Sequence, residues 1–219
     1  MAKLIFDAPG EHLYQTGISD VALFVMDSTT GEYKKGVAWN GVTGLTESPS
    51  GAEATALYAD NIKYLNLTSA EDFGATIEAY NKPVEFGACD GEVNVGGLTF
   101  GQQSRATFAL VYKTLIGNDQ DSNDHGYKLH IIYGCKAAPS ERAYATVNDS
   151  PEAITFSWEL TTTPVDVLGR KAAHLEIDTT RIKAAKRAEF ESDVLGKLYG
   201  NAIADATLMM PEDIITVLK

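Results

Sequence analysis

The sequence predicts a mainly β (α+β) fold with one flanking helix. Three observations predict it: short strand-like runs recur along the chain between Gly, Pro, Asn and Asp residues, one of these runs alternates strictly, and only one stretch carries a helical period. The runs span residues 20–26, 36–43, 62–67, 98–113, 127–133 and 153–163. In the last, Ile154, Phe156, Trp158 and Leu160 fall on one face and Thr155, Ser157, Glu159 and Thr161 on the other. Period-two alternation of this kind places one face in a core and one in water.

Residues 27–32, Asp-Ser-Thr-Thr-Gly-Glu, read as a hairpin turn between two runs. Residues 68–72 look like a capped helix start, yet residues 75–80 alternate like a strand. Gly74 would fall in the second turn of such a helix, so the expectation is a turn followed by a strand that ends before Pro83. Residues 180–199 predict the helix, with Phe190, Val194, Leu195 and Leu198 on one face and Gly200 as the stop. That helix should pack on the sheet. Residues 201–219 are expected to end the chain in a short strand or turn. Two stretches, 40–60 and 117–126, read as long loops, the first rich in Gly, Ser and Ala and the second wholly polar. No linker, repeat or low-complexity tract divides residues 1–219, so a single domain is expected.

Charge narrows the function. The chain has 18 basic against 30 acidic side chains, a formal charge of −12, which argues against a protein that grips nucleic acid. The longest apolar run, residues 21–26, is far short of the roughly 20 residues that span a bilayer. Residues 1–10 lack the apolar stretch of a signal peptide. Cys89 and Cys135 are too few for a disulfide framework and lack metal spacing, so reduced, partly buried thiols in a cytosol are expected.

Motifs for chemistry are mostly missing. In the polar loop Asp119, Asp121 and Asn123 fit the first odd positions of a calcium loop. Asp124 stands where the turn glycine belongs and His130 where the bidentate Glu belongs. A solvated hairpin tip is the plainer account, with Asp119, Asp121 and Asp124 left to hold calcium weakly at most. His12, His125, His130 and His174 are scattered without helical pairing or a Cys partner, and structural roles are expected for all four. No nucleophile elbow or phosphate loop is present, and Gly96, Gly97 and Gly101 suit a turn and a bulge better than a dinucleotide fingerprint. Trp158, on the apolar face of its strand, is assigned to the core. Between residues 40 and 100 nine acids face only Lys63 and Lys82, giving −7 of the −12, while Arg181, Lys183, Lys186 and Arg187 form a basic cluster. Separated charge suits either head-to-tail assembly or simply a soluble surface.

Several stretches resemble the major tail protein, or tail tube protein, of long-tailed bacteriophages of the siphophage type. They are Tyr58-Ala-Asp-Asn-Ile-Lys-Tyr64, the segment from Leu67 to Tyr80 with Glu85-Phe-Gly87, and Phe100-Gly-Gln-Gln-Ser-Arg-Ala-Thr-Phe-Ala-Leu-Val-Tyr112. His130-Ile-Ile-Tyr-Gly-Cys135 and Phe156-Ser-Trp-Glu-Leu-Thr-Thr-Thr-Pro-Val165, followed by Ala173-His-Leu-Glu-Ile-Asp178, complete the set. The resemblance implies a tail-tube-type β-sandwich or barrel with one flanking α-helix and long loops. It implies hexameric rings that stack around a tape measure protein and later pass phage DNA without specific binding. Tail terminator and distal tail proteins would cap the tube, in a virion tail assembled in the host bacterial cytoplasm. No enzymatic activity, cofactor or membrane insertion is implied. On this reading the 40–60 loop is an inter-ring arm, disordered before assembly, with Gly44, Glu47, Pro49, Glu53 and Tyr58 at the interface. Glu71, Asp72, Glu78 and Glu85 would line the lumen, an acidic wall along which DNA slides. Another virion structural protein, for decoration or tail completion, or a monomeric β-sandwich binding module or hydrolase with its site at 117–126, remain as alternatives.

Overall fold

Three long strands form the spine of the molecule. The computed structural model describes residues 4, 6–147, 149 and 152–219; most of the first five residues, read above for a signal peptide, therefore fall outside the described residues. In chain order, β1 (Tyr14–Val25) runs into the turn at 27–32 and returns through β2 (Val37–Ala38). β3 (Val42–Glu47), β4 (Ser50–Gly51) and β5 (Ala54–Ala59) run outward, and β6 (Ile62–Thr68), β7 (Glu71–Asp72) and β8 (Gly74–Ala79) come back. A 3-10 turn (Val84–Ala88) and the hairpin of β9 (Val93–Val95) and β10 (Leu98–Phe100) lead to β11 (Phe108–Asn118) and β12 (Ser122–Ala137). β13 (Phe156–Thr162), the hairpin of β14 (Val165–Val167) and β15 (Arg170–Ala172), and β16 (His174–Asp178) follow.

The main sheet is antiparallel in the order β2-β1-β11-β12-β13-β8-β3, with β16 also on β12. The structure is mainly β, as the sequence pattern predicts. β1, β11 and β12 are apolar on both faces because each face meets a separate core. Val21, Leu23, Phe108, Leu110 and Ile132 point into the first, which β13, β8 and β3 cover with Trp158, Leu160, Ile77 and Leu45. Trp39, Phe86, Phe108 and Trp158 pack ring to ring at its centre, at 4.5 to 5.7 Å, so Trp158 is a core residue as expected. The alternate residues Phe24, Val111, Leu129, Ile131 and Tyr133 point into the second core, which the helices cover.

The helix predicted at 180–199 is shorter and broken. A 3-10 turn (Ala184–Lys186) passes into one α turn (Arg187–Glu189), a π turn (Phe190–Leu195) and a last α turn (Gly196–Leu198). Its apolar face does pack on the sheet, through Phe190, Val194 and Leu198. The chain end is a helix, Pro211–Leu218, and not the strand or turn expected. Pro211 at its first position and Glu212 and Asp213 in its first turn suit a helix start. Two predicted strands are split: 36–43 breaks at Gly41, whose φ is +84°, and 98–113 breaks into β10 and β11. The turn at 27–32 is present, with the Asp27 carboxylate accepting from the Thr29 amide at 2.8 Å, and so is the strand at 75–80.

The 40–60 stretch is not a loop but the outbound half of one β-ribbon. Gly44 pairs with Glu78, Glu47 with Ala75, Ser50 with Asp72, Ala54 with Thr68 and Leu57 with Leu65. All five pairs share one register, so β3-β4-β5 and β6-β7-β8 are two continuous strands whose root lies in the sheet. The ribbon projects about 40 Å beyond Glu47 at roughly 3.3 Å per residue. Asp60 and Asn61 close it with φ of +50° and +64°, a two-residue turn of the type whose twist matches paired strands.

Candidate functional site

Three features stand apart from the cores. The first is the distal ribbon, β5 and β6, which is exposed along nearly its whole length. Leu65 and Leu67 lie two apart and Leu57 sits opposite Leu65, so these three share one face; Tyr64 is the extra residue where the pairing shifts between Leu57–Leu65 and Tyr58–Lys63. Leu57, Tyr58, Ile62, Tyr64, Leu65 and Leu67 are all exposed, between 41% and 72%. A two-stranded ribbon is marginal in water on its own, and an uncovered apolar face is a docking surface or an aggregation hazard. Pro49, Glu53 and Tyr58, assigned to an interface from the sequence, lie on this ribbon and are exposed.

The second feature is the outer face of β3, β8 and β13. Cross-strand register places Thr46 beside Thr76 and Glu159, and Gly44 beside Glu78 and Ser157. Among these described residues of β3, β8 and β13 there is no cation, though Lys136 of β12, the register partner of Thr161, borders the patch. Of the four acids assigned to a lumen, Glu78 lies on it and Asp72 continues it along the ribbon. Glu71 takes the opposite face, and Glu85 lies in the 3-10 turn, off the sheet.

The third feature was not read from the sequence. Tyr112 of β11 and His130 of β12 are register partners, and Glu176 of β16 is His130's partner on the other side. His174 opens β16 two residues earlier, so its ring lies against that of His130. Tyr112 lies parallel to His130 at 4.6 Å and 1°, and Phe73 to His174 at 4.8 Å and 17°, while the two imidazoles meet edge to edge, nearly coplanar at 7° with centroids 5.4 Å apart. His130 Nδ1 and His174 Nε2 share a hydrogen bond of 3.2 Å, and the Thr114 hydroxyl meets His130 Nε2 at 3.0 Å. Glu47, at the end of β3, turns inward: its Oε1 accepts from the Tyr112 hydroxyl at 2.8 Å and lies 3.8 Å from His130 Nδ1 and 3.6 Å from His174 Nε2. Burial pushes both imidazoles below the ordinary histidine value, with His174 adding to the effect on His130 and the carboxylates opposing it. Burial, then the bond to Glu47, pushes the Tyr112 phenol up, so it stays a donor. Among the described residues, Glu47, His130 and His174 are the group whose ligand atoms converge as a metal site requires.

The other sequence candidates disperse. Asp119 accepts from the Gly10 amide at 3.0 Å, and Asp121 meets His125 Nδ1 at 3.0 Å and the Asn118 amide at 3.2 Å, so these two carboxylates serve a hairpin tip. The loop acids do not converge with Asp124 on a common ligand position. Of the nine acids between residues 40 and 100, two are neutralised inside the fold. Asp90, 3% exposed, accepts from Lys82 at 2.6 Å and lies 3.4 Å from Arg105, and Arg142 bridges it to Glu92. In the basic cluster, Arg181 pairs with Asp178 and Lys186 with Glu189. Cys89 and Cys135 are free and buried, and burial pushes the Cys89 thiol up to about 12.

No protein-family model and no curated protein matches the chain. Among solved structures, one chain described as "Cryo-EM structure of the anti-feeding prophage (AFP) baseplate, 6-fold symmetrised" aligns with it at 10% identity and a TM-score of 0.36, covering 72% of this chain and 92% of that one. No helix among the described residues is long and apolar enough to cross a membrane.

The histidine cluster left no sequence motif because Glu47, His130 and His174 sit on β3, β12 and β16, 44 and more residues apart. Only the period-two placement of His130 between Leu129 and Ile131 hinted that its ring faced a core. The ribbon did leave a signal: Asp60-Asn61 between alternating runs is a turn of the kind that joins two paired strands.

Proposed function

We propose that this chain is a structural, non-enzymatic subunit of a phage tail tube, which assembles as stacked hexameric rings around a channel for DNA. The sequence resemblance sets the class, and one observation carries the reading: the ribbon from β3 to β8 leaves the sheet and exposes Leu57, Leu65 and Leu67 with no cover among the described residues. A second copy in a neighbouring ring supplies that cover. Self-association by a surface that differs from its target closes into rings or propagates as filaments. The arm is thus already paired in the free subunit, and assembly covers it without having to fold it. The outer face of β3, β8 and β13, with Glu78, Glu159 and no cation among its described residues, is suited to line the channel, since phosphate slides along a wall that does not bind it.

Negative-stain microscopy of concentrated protein tests this. Hollow tubes or six-fold rings support the reading, and a persistent monomer over a concentration series in size-exclusion chromatography overturns it. Replacing Leu65 and Leu67 together by Ser is expected to abolish tubes while leaving the circular dichroism of the subunit unchanged.

A further inference from the structure

We propose that Glu47, His130 and His174 form a binding site for a divalent transition-metal ion, Zn²⁺ by ligand type. The donors come from three strands, yet Glu47 Oε1, His130 Nδ1 and His174 Nε2 form a triangle with edges of 3.2, 3.6 and 3.8 Å. The centre of that triangle lies about 2.1 Å from each corner, the length of a Zn–N or Zn–O bond. Two imidazoles and one carboxylate are also the ligand types that zinc takes when a fourth position is left to water.

The neighbours behave as outer supports of a metal site. The Thr114 hydroxyl engages His130 Nε2, which leaves Nδ1 free to present its lone pair. The Tyr112 hydroxyl donates to Glu47 Oε1 at 2.8 Å, and the Tyr112 and Phe73 rings pack against the His130 and His174 imidazoles at 4.6 and 4.8 Å. Without an ion the two imidazoles share one proton across 3.2 Å. Metal entry requires the His174 tautomer with its proton on Nδ1 and gives Nδ1 of His130 and Nε2 of His174 a common partner. Access is from the Glu47 side, whose side chain is 38% exposed, whereas that of His130 is 6% exposed. The ion ties β3, at the root of the ribbon, to β12 and β16, from which β13 and β8 separate it in the same sheet. This clamp is independent of whether the subunit forms tubes.

The test uses the full chain, stripped with chelator and titrated with Zn²⁺ by calorimetry and with Co²⁺ by visible spectroscopy. One equivalent should bind, raise the thermal midpoint and give the ligand-field bands of a low-coordinate cobalt site. His174→Phe keeps a ring in the stack and removes a ligand, and Glu47→Gln keeps the shape at the exposed corner. Each is expected to weaken zinc binding by at least about 100-fold. If His174→Phe does not fold, Glu47→Gln alone decides. Absence of stoichiometric binding to the wild type overturns the proposal. So does equal binding by wild type and a folded variant, which would place the ion on His12 or His125 at the surface.

Discussion

Asp90 keeps its carboxylate inside the fold because three cations follow it there. Lys82, Arg105 and Arg142 surround it, and Glu92 shares two of them. Asp90→Asn leaves three cations around a single carboxylate, and the expected cost is about 3–5 kcal/mol in urea unfolding. Glu92 adds a pH dependence. Burial alone would raise its carboxyl, but hydrogen bonds from Lys82 and Arg142 outweigh it and hold the group below its ordinary 4.5. As pH falls past 4.5 the unfolded chain takes the proton first. The stability this group adds is therefore complete above 4.5 and is lost as pH drops through the lower folded value. Glu92→Gln should reduce stability at neutral pH and flatten the acid limb in an unfolding series across that window. None of this was legible in the sequence, where Asp90 and Glu92 counted as members of an acidic run. Arg142 lies about fifty residues away and has no spacing relation to either.

At the scale of the element, β12 changes partners partway along. Its first half pairs with β16 and its last residues with β13, and Gly134 stands between them with φ of +62°. A Cβ there would lie 2.3 Å from the Thr163 carbonyl oxygen, and the Gly134 carbonyl accepts from the Thr163 amide at 3.0 Å. Gly134→Ala therefore combines backbone strain with a clash against backbone. A loss of at least about 2 kcal/mol is expected, read as a lower urea midpoint with unchanged slope. Elements of this sheet were legible wherever one face is wet, as in β13 and β8. β1, β11 and β12 show continuous apolar runs, which locate a strand but hide its ends. The C-terminal helix was missed because eight residues carry too few periods to outweigh their β-branched content, although Pro211, Glu212 and Asp213 marked its start.

For the whole molecule, the notable division is between a doubly covered sheet and hairpins left in water. Besides the long ribbon, β9 and β10 expose Val93, Val95, Leu98 and Phe100. Each such hairpin is too small to bury apolar surface alone, and in the assembly proposed above other copies would cover it. Val95→Lys with Leu98→Lys is expected to lower the yield of assembled particles in sedimentation without moving the subunit's thermal midpoint. The sequence showed the acidic bias and the resemblance, but burial and pairing decided which acids remain free. The register of the ribbon, constant from Gly44 to Leu57 and shifted once by an extra residue at Tyr64 near the tip, carries one more implication, for how such an arm can vary among variants. A single residue inserted on one strand has to be taken up as a further bulge like that at Tyr64, and one on each strand, placed between the sheet and Ala54, turns Leu57, Leu65 and Leu67 to the opposite side. Only two residues per strand restore the face, so the reach of the arm is quantised in steps of about 7 Å.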